Sequence, residues 1–202
     1  MNILLIGGNG FVGKEFIRLA VNRNINISYL SRNKINEAEF KSISWIQGDI
    51  FSIDDIYDIY IEEKFDVAIH LVGTIKNKQL YKKLNTESVA KSLQLCSKNN
   101  IKKLVYFSAK GGFADYYNSK KEGEKIVEQA NINYLIVRPG LMYGTNRLSS
   151  YFNVIPIKLF ATLGINFFRN VYPLPVSKVI NSVIDTIINK RSVKYLDLKE
   201  IK

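Results

Sequence analysis

Cysteine and histidine are almost absent: the chain has one of each, Cys96 and His70, in 202 residues. A single thiol cannot close an intramolecular disulfide, which fits a reducing compartment. One imidazole and one thiol are too few for a dedicated zinc site, so no metal site is expected. Long apolar runs are missing too. No stretch reaches the roughly 18 apolar residues that a simple membrane-spanning helix needs. A strand-like run starts at Asn2, so no signal or transit peptide is expected. A cytoplasmic protein is the expectation.

Acidic residues are scarce relative to basic ones, and the imbalance is uneven. Residues 1–100 carry 13 basic and 11 acidic side chains, residues 101–202 carry 16 and 7, and the net charge is +11. Such an excess favours anionic partners. No arginine-rich tract accompanies it, however. The basic residues are scattered, as on a lysine-rich solvated surface, and a nucleic-acid partner is not expected.

What the sequence does have is a regular alternation. Strand-length apolar runs occur at 2–6, 26–30, 42–46, 66–72, 103–107 and 133–137. Helix-length amphipathic stretches separate most of them. In 11–23, Phe16, Leu19 and Ala20 share a face; in 84–98, Val89, Leu93 and Cys96 do. Strands alternating with helices imply βαβ crossovers and a parallel sheet covered on both sides. The expected fold class is α/β, a doubly wound parallel sheet (Rossmann fold). Residues 1–144 form its core, and the small region 145–202 completes the same domain.

The first apolar run leads directly into "GGNGFVG" (7–13). Glycines between a strand and a helix permit a tight turn, close backbone approach to a pyrophosphate, and close helix-strand packing. Two registers compete: Gly8, Gly10 and Gly13 fit G-x-G-x-x-G, and Gly7, Gly10 and Gly13 fit G-x-x-G-x-x-G. Past the second strand, "YLSRNK" (29–34) lacks the acid that would bind a ribose 2′-hydroxyl. Arg32 can pair with a 2′-phosphate and Ser31 can donate to it. NADP is therefore favoured over NAD.

"IGGNGFVG" resembles the opening of short-chain dehydrogenase/reductases, in their extended and atypical branches, which use the second register. Further landmarks follow in the family's order through about residue 144: "QGDI" (47–50), "IHLVG" (69–73), "LNTESVAKSLQLCSKNNIKKLVYFSA" (84–109), "YYNSKKEGE" (116–124) and "VRPGLMYG" (137–144). The resemblance implies nucleotide contacts from Gly7, Asn9, Gly10, Phe11, Val12 and Gly13. It adds Asp49 and Ile50 near the adenine, then Leu71, Val72, Gly73 and Asn85, and finally Lys120, Pro139 and Gly140 near the nicotinamide.

Tyr116 and Lys120 are spaced i, i+4 and share a helical face. A nearby ammonium stabilises a phenolate and lowers its pKa, which suits general acid/base work. In the resembling family, these residues are the acid/base and its helper. Tyr117 and Lys121 offer a second such pair, but the register of Ser119, Lys120 and Glu124 favours Tyr116. Ser108 is the nearby hydroxyl for orienting a substrate oxygen. Only eight positions separate it from Tyr116, which is short, and Ala109 and Lys110 stand where a second serine or threonine is typical. "SAKGG" is closer to atypical members, several of which bind nucleotide without turnover.

Two readings follow: an NADP-dependent oxidoreductase or epimerase-like enzyme acting on a small molecule, and a catalytically silent dinucleotide-binding sensor or assembly factor. Sugar-nucleotide, quinone-like and isoprenoid substrates are not separable. Residues 151–170 are rich in Phe, Ile and Leu and broken by Asn, Pro, Lys and Gly. They suit a pocket lid, a peripheral membrane contact, ordinary core or a dimer interface, and oligomeric state stays open. An amphipathic helix over 175–189 and a closing strand over 193–198 end the pattern. His70 reads as a backbone-bonded structural group, Cys96 as an inert packed thiol and Trp45 as core.

Overall fold

Seven strands line up in parallel in the order β3-β2-β1-β4-β5-β6-β9. They are β1 (Asn2–Ile6), β2 (Asn26–Ser31), β3 (Ser44–Gln47), β4 (Val67–His70), β5 (Lys103–Phe107), β6 (Asn133–Arg138) and β9 (Tyr195–Asp197). A two-stranded parallel pair, β7 (Met142–Tyr143) with β8 (Leu174–Pro175), stands apart. The computed structural model describes residues 1–52, 64–145, 148–189 and 192–201.

Period-two alternation assigns the sheet's faces. Ile3 and Leu5, Val105 and Phe107, and Leu135 and Val137 join one apolar cluster. Leu4 and Ile6, Leu104 and Tyr106, and Ile136 join the other. Both faces are buried, which is why the central strands read as continuous apolar runs. Helix α1 (Phe11–Val21) packs on the first face with α6 (Val176–Ile188), through Phe16, Ile17 and Ala20 against Val179, Ile180 and Val183. Helices α2 (Ser88–Lys98) and α3 (Ala114–Gln129) cover the second face, through Val89, Leu95, Cys96 and Val127. Short helices α4 (Val154–Thr162) and α5 (Asn166–Asn170) lie between β7 and β8 in the chain.

The strand order reverses between β1 and β4, and parallel sheets bind ligands beyond the C-terminal ends at such a switch point. This doubly wound sheet is the expected Rossmann architecture. The closing strand at the end of the chain pairs with β6, Val137 opposite Leu196.

Three local expectations are refined. The run 66–72 is strand only over Val67–His70, although the Leu71 N–H still donates to the Ile6 carbonyl at 2.9 Å. The stretch 84–98 is not one regular helix: Lys82–Glu87 is a π-helical turn that continues into α2. Trp45 is half-buried on the edge strand β3, and its indole N–H donates to the Ser31 carbonyl and hydroxyl, both at 3.2 Å.

Cys96 is fully buried, and burial pushes its thiol up to about 12, so it is inert at neutral pH. His70 is also fully buried, with its ring nitrogens on two α2 hydroxyls: Nδ1 to Ser92 Oγ at 2.7 Å and Nε2 to Ser88 Oγ at 3.3 Å. Its anchors therefore include two serine side chains four residues apart, one helical turn.

Burial, aided by the Lys120 ammonium, holds the His70 pKa down to about 3. Between pH 3 and the unfolded value near 6.5, the unfolded chain binds the proton and the folded chain does not. Stability therefore falls as pH drops through 6.5. His70 is the chain's only histidine, so this window belongs to it. Urea denaturation should show a loss of roughly 2 kcal/mol between pH 7 and pH 5. His70→Gln should flatten that slope whatever it does to absolute stability. An unchanged slope in the variant would place the proton elsewhere.

Candidate dinucleotide and catalytic site

The turn after β1 needs its glycines for separate reasons. Gly7 has φ +85°, a left-handed conformation that disfavours side chains, and its N–H bonds the Leu30 carbonyl at 2.9 Å. A Cβ on Gly13 would lie 2.1 Å from the Gly8 carbonyl oxygen, so α1 and the turn touch backbone to backbone there. Gly8 is as constrained, since its Cβ would meet Tyr29 Cβ at 2.5 Å. The two competing registers are thus both occupied by glycines that the packing requires. Sequence spacing alone did not reveal the role of Gly8, because the partner is a core tyrosine on β2.

Gly10 differs from these. Its Cβ position looks into open space, with only the Gly7 carbonyl oxygen at 3.6 Å. Helix α1 starts there without a side-chain cap and without an acidic residue in its first turn. The N–H groups of that turn and the positive end of the helix dipole suit an anion. The turn therefore fits a dinucleotide pyrophosphate.

The loops beside it are tied to the turn. Asn9 Nδ2 donates to the Asn33 carbonyl at 3.0 Å. Ser31 Oγ donates to the same carbonyl at 2.7 Å. Arg32 is 78% exposed at its side chain and lies 4.0 Å from Asp49 Oδ2. Asp49 Oδ1 accepts from Phe51 N at 3.1 Å, and Ile50 is buried in the second cluster. A cavity of about 660 Å³ opens here, lined among others by Asn9, Lys14, Arg32, Lys34, Glu37 and Trp45. Three cations face one acid, and that acid, Glu37, is paired with Lys14. Lys14 and Lys34 are additions that the sequence reading did not single out.

A larger groove, about 1640 Å³, runs past Met1, Asp66, Lys102 and Asn133. These residues flank the N-terminal ends of the strands, the end opposite the glycine turn. Size is the poorer guide here, because parallel sheets bind at the other edge.

From the turn, contacts run directly to the tyrosine-lysine helix. A Cβ on Gly7 would meet Val72 Cγ2 at 2.9 Å, so the exit of β4 through Leu71 and Val72 presses on the turn. A Cβ on Gly73 would lie 2.9 Å from Asn85 Oδ1 and 3.0 Å from Lys120 Nζ. Asn85, on the π-helical turn, accepts from Thr74 N at 2.8 Å and donates to the Thr74 carbonyl and Ser119 Oγ, both at 3.0 Å. Such turns recur at functional sites.

Lys120 is buried, and its Nζ donates to the Phe107 carbonyl at 2.9 Å. Burial lowers its pKa to about 8, opposed by Glu124. Tyr116, one helical turn earlier, is half-buried with its ring edge-on to Tyr81 at 5.9 Å. The backbone of Gly112 lies against that ring; a Cβ there would sit 2.9 Å from Tyr116 Cδ1. Tyr117, also half-buried, has Lys121 Nζ 5.8 Å from its ring centre instead.

Ser108 sits where β5 and β6 run out together, its N–H on the Val137 carbonyl at 2.8 Å and Lys110 N on the Pro139 carbonyl at 2.9 Å. Its hydroxyl donates to Glu124 Oε1 at 2.5 Å. Glu124 also takes two bonds from Arg138, 2.9 and 2.6 Å, and one from Lys121 at 2.7 Å. Burial would raise the Glu124 carboxyl, but these three partners reverse that and hold it below the usual range. The signal for this cluster was present in "KKEGE" and "VRPG", but not the pairing. Pro139 and Gly140 form the following turn, and Gly140 packs on the Tyr172 backbone, where a Cβ would lie 2.2 Å from the carbonyl oxygen.

Residues 7–154 match the NAD(P)H-binding family, and the chain belongs to it. An uncharacterized chloroplastic protein of Arabidopsis thaliana is 21% identical over 161 residues, 73% of this chain and 52% of that one. A decarboxylating sterol-4-alpha-carboxylate 3-dehydrogenase of Candida albicans is 27% identical over 121 residues, 54% of this chain and 35% of that one. The chain thus spans about a third to a half of the length of these curated relatives. The Thermus thermophilus UDP-glucose 4-epimerase, solved in complex with NAD, superposes with a TM-score of 0.71 at 14% identity, covering 97% of this chain and 76% of that one. The fold is that of the epimerase/dehydratase enzymes.

The Glu124 cluster should matter to stability. Glu124 is 1% exposed, and removing it takes both close hydrogen bonds from the Arg138 guanidinium and leaves it the longer pairing with Asp197 at 3.8 Å. Glu124→Leu should cost about 3–5 kcal/mol in urea denaturation, the loss typical of a broken buried pair. Ser108→Ala should cost less, about 2 kcal/mol, as for a hydrogen bond to a charged group. Equal losses would mean the cluster is not a cooperative buried ion pair.

Proposed function

We propose that this chain is an NADP-dependent oxidoreductase or epimerase-like enzyme with Tyr116 as its general acid/base. The observation that carries this reading is the unbroken contact path from Gly7 through Val72 and Gly73 to the buried Lys120 amine. A proton-relay helix next to a phosphate-binding turn is what such an enzyme needs, and this path supports that reading. The turn residues Gly7, Asn9, Gly10, Phe11, Val12 and Gly13 would hold the pyrophosphate, Asp49 and Ile50 the adenine side, and Leu71, Val72, Gly73, Asn85, Pro139 and Gly140 the far half. Bound there, the nicotinamide would exchange a hydride with the substrate carbon. Tyr116 would pass a proton to or from the substrate oxygen. Lys120 would stabilise the Tyr116 phenolate by its charge and hold the ribose through its N–H groups.

The preference for NADP rests on the cationic cavity beside β2. Arg32, Lys14 and Lys34 line it, and β2 ends in Ser31 without an acid. The NAD in the Thermus epimerase belongs to that protein. Fluorescence titration should find NADPH bound about tenfold or more tightly than NADH, with Arg32→Ala erasing most of the difference. Tighter NADH binding, or a preference that survives in the variant, would refute the 2′-phosphate assignment.

A second reading, a silent nucleotide-binding sensor or assembly factor, is favoured by one observation: the Ser108 hydroxyl is engaged by Glu124. Binding and turnover measured in the same variants separate the two. Tyr116→Phe should keep NADPH affinity and lower turnover of a carbonyl or sugar-nucleotide substrate by roughly 10²–10⁴. Tyr117→Phe should leave turnover nearly intact, and Lys120→Ala should weaken binding as well. Full turnover in Tyr116→Phe would move the relay elsewhere. Tight binding without turnover on a broad panel would select the silent reading.

A further inference from the structure

Large apolar side chains on the surface are not spread evenly. Tyr151, Phe152, Ile155, Leu159, Phe160, Leu163, Ile165 and Phe167 are all exposed within 17 residues of chain. Phe152 is 83% exposed, Ile155 78% and Leu163 67%. In α4, whose sequence is "VIPIKLFAT", only Ala161 is buried. Its main packing partners are α5 and the 3₁₀ turn Leu148–Asn153 ahead of it, so it stands off the sheet rather than on it. Isolated exposed apolar residues are ordinary, but a contiguous group of this kind marks a contact surface.

The patch is internally organised. Phe160 and Phe168 stack at 4.9 Å, and Phe167 lies edge-on to Phe168 at 5.3 Å. Phe113, 74% exposed, extends the patch with its ring 6.4 Å from Phe167. Phe113 is the N-cap of α3, three residues before Tyr116. The surface therefore borders the mouth of the candidate site.

Its charge points to one kind of partner. From residue 129 to residue 184 the sequence has five basic residues and no acid. Lys158 and Arg169 lie within α4 and α5 themselves. Asp115, the acid closest in sequence to Phe113, is paired with Lys78. A second copy of the chain would set cation against cation across an isologous contact. An apolar surface whose own helices, α4 and α5, carry positive charge and no acid is instead complementary to an anionic lipid surface. No helix among the described residues is long and apolar enough to cross a membrane, so the contact would be made in the plane of the interface.

We propose that α4, α5 and Phe113 dock this protein on the surface of an anionic lipid bilayer, with Phe152, Ile155, Leu163 and Phe167 entering the interface and Lys158 and Arg169 meeting the headgroups. The proposal does not depend on the identity of the cofactor or on turnover. Flotation of the full chain with phosphatidylcholine vesicles, with and without phosphatidylglycerol, tests it. Wild type should float with the anionic vesicles, less so as salt is raised. Ile155→Asp combined with Leu163→Asp should reduce the partition coefficient about tenfold or more. Lys158→Gln and Arg169→Gln should each reduce it about fivefold on anionic vesicles only. Ile155, Leu163 and Arg169 are exposed and Lys158 is half-buried, so far-UV circular dichroism, melting temperature and NADPH affinity should stay unchanged. Absence of wild-type binding, equal binding by the aspartate variant, or equal binding to both vesicle types would overturn the proposal. So would a wild-type dimer in light scattering that the aspartate variant converts to monomer without any vesicle binding.

Discussion

The close packing at the exit of β4 is the constraint around which the candidate site is arranged. Val72 presses on the back of Gly7, and Gly73 leaves room for the Asn85 amide and the Lys120 amine. Neither glycine has space for a methyl group. This crowding explains why a turn at one end of the sequence and a helix more than a hundred residues later share one site. The parallel sheet brings the C-terminal ends of β1, β4 and β5 side by side. Local sterics then fix which side chains meet above them.

The charges beneath that edge are balanced rather than neutralised pair by pair. Lys120 is desolvated, which disfavours its cationic form, and Glu124 pulls the other way. Glu124 in turn is held ionised by Arg138 and Lys121. A charged histidine would upset this arrangement. His70 is kept neutral by burial first and by the Lys120 ammonium second, and the hydroxyls of Ser88 and Ser92 take up its ring nitrogens. Structural and candidate functional groups are therefore electrostatically coupled, and a change at His70 or Glu124 should be felt at Lys120.

Much of this was legible in the sequence, because the relevant signals are local. The glycine turn, the strand-helix alternation and the i, i+4 spacing of Tyr116 and Lys120 each need only a short window. The role of Gly8 was hidden, since it depends on Tyr29 from the neighbouring strand. The π-helical turn that aims Asn85 was hidden as well, because its residues have no pattern that separates π from α. The Ser108–Glu124–Arg138 cluster joins three elements, and no sequence period connects them. Residues 151–170 were the hardest to read. An apolar helix normally signals burial, and α4 is apolar yet exposed.

The direction of one hydrogen bond bears most on the chemistry. A serine hydroxyl has one proton and two lone pairs. The Ser108 proton is directed to a Glu124 carboxylate held ionised, a charge-assisted bond that is among the stronger kinds. With its proton committed, Ser108 can accept from a substrate hydroxyl but cannot donate to a substrate carbonyl. In this arrangement it is suited to holding an alcohol that Tyr116 would deprotonate, and unsuited to polarising a ketone. Donation to a carbonyl would require Ser108 to release Glu124, which would still keep its bonds from Arg138 and Lys121. The same contact that favours the silent reading therefore also sets what Ser108 can offer a bound oxygen: an acceptor while Glu124 holds its proton, a donor only once that bond is released.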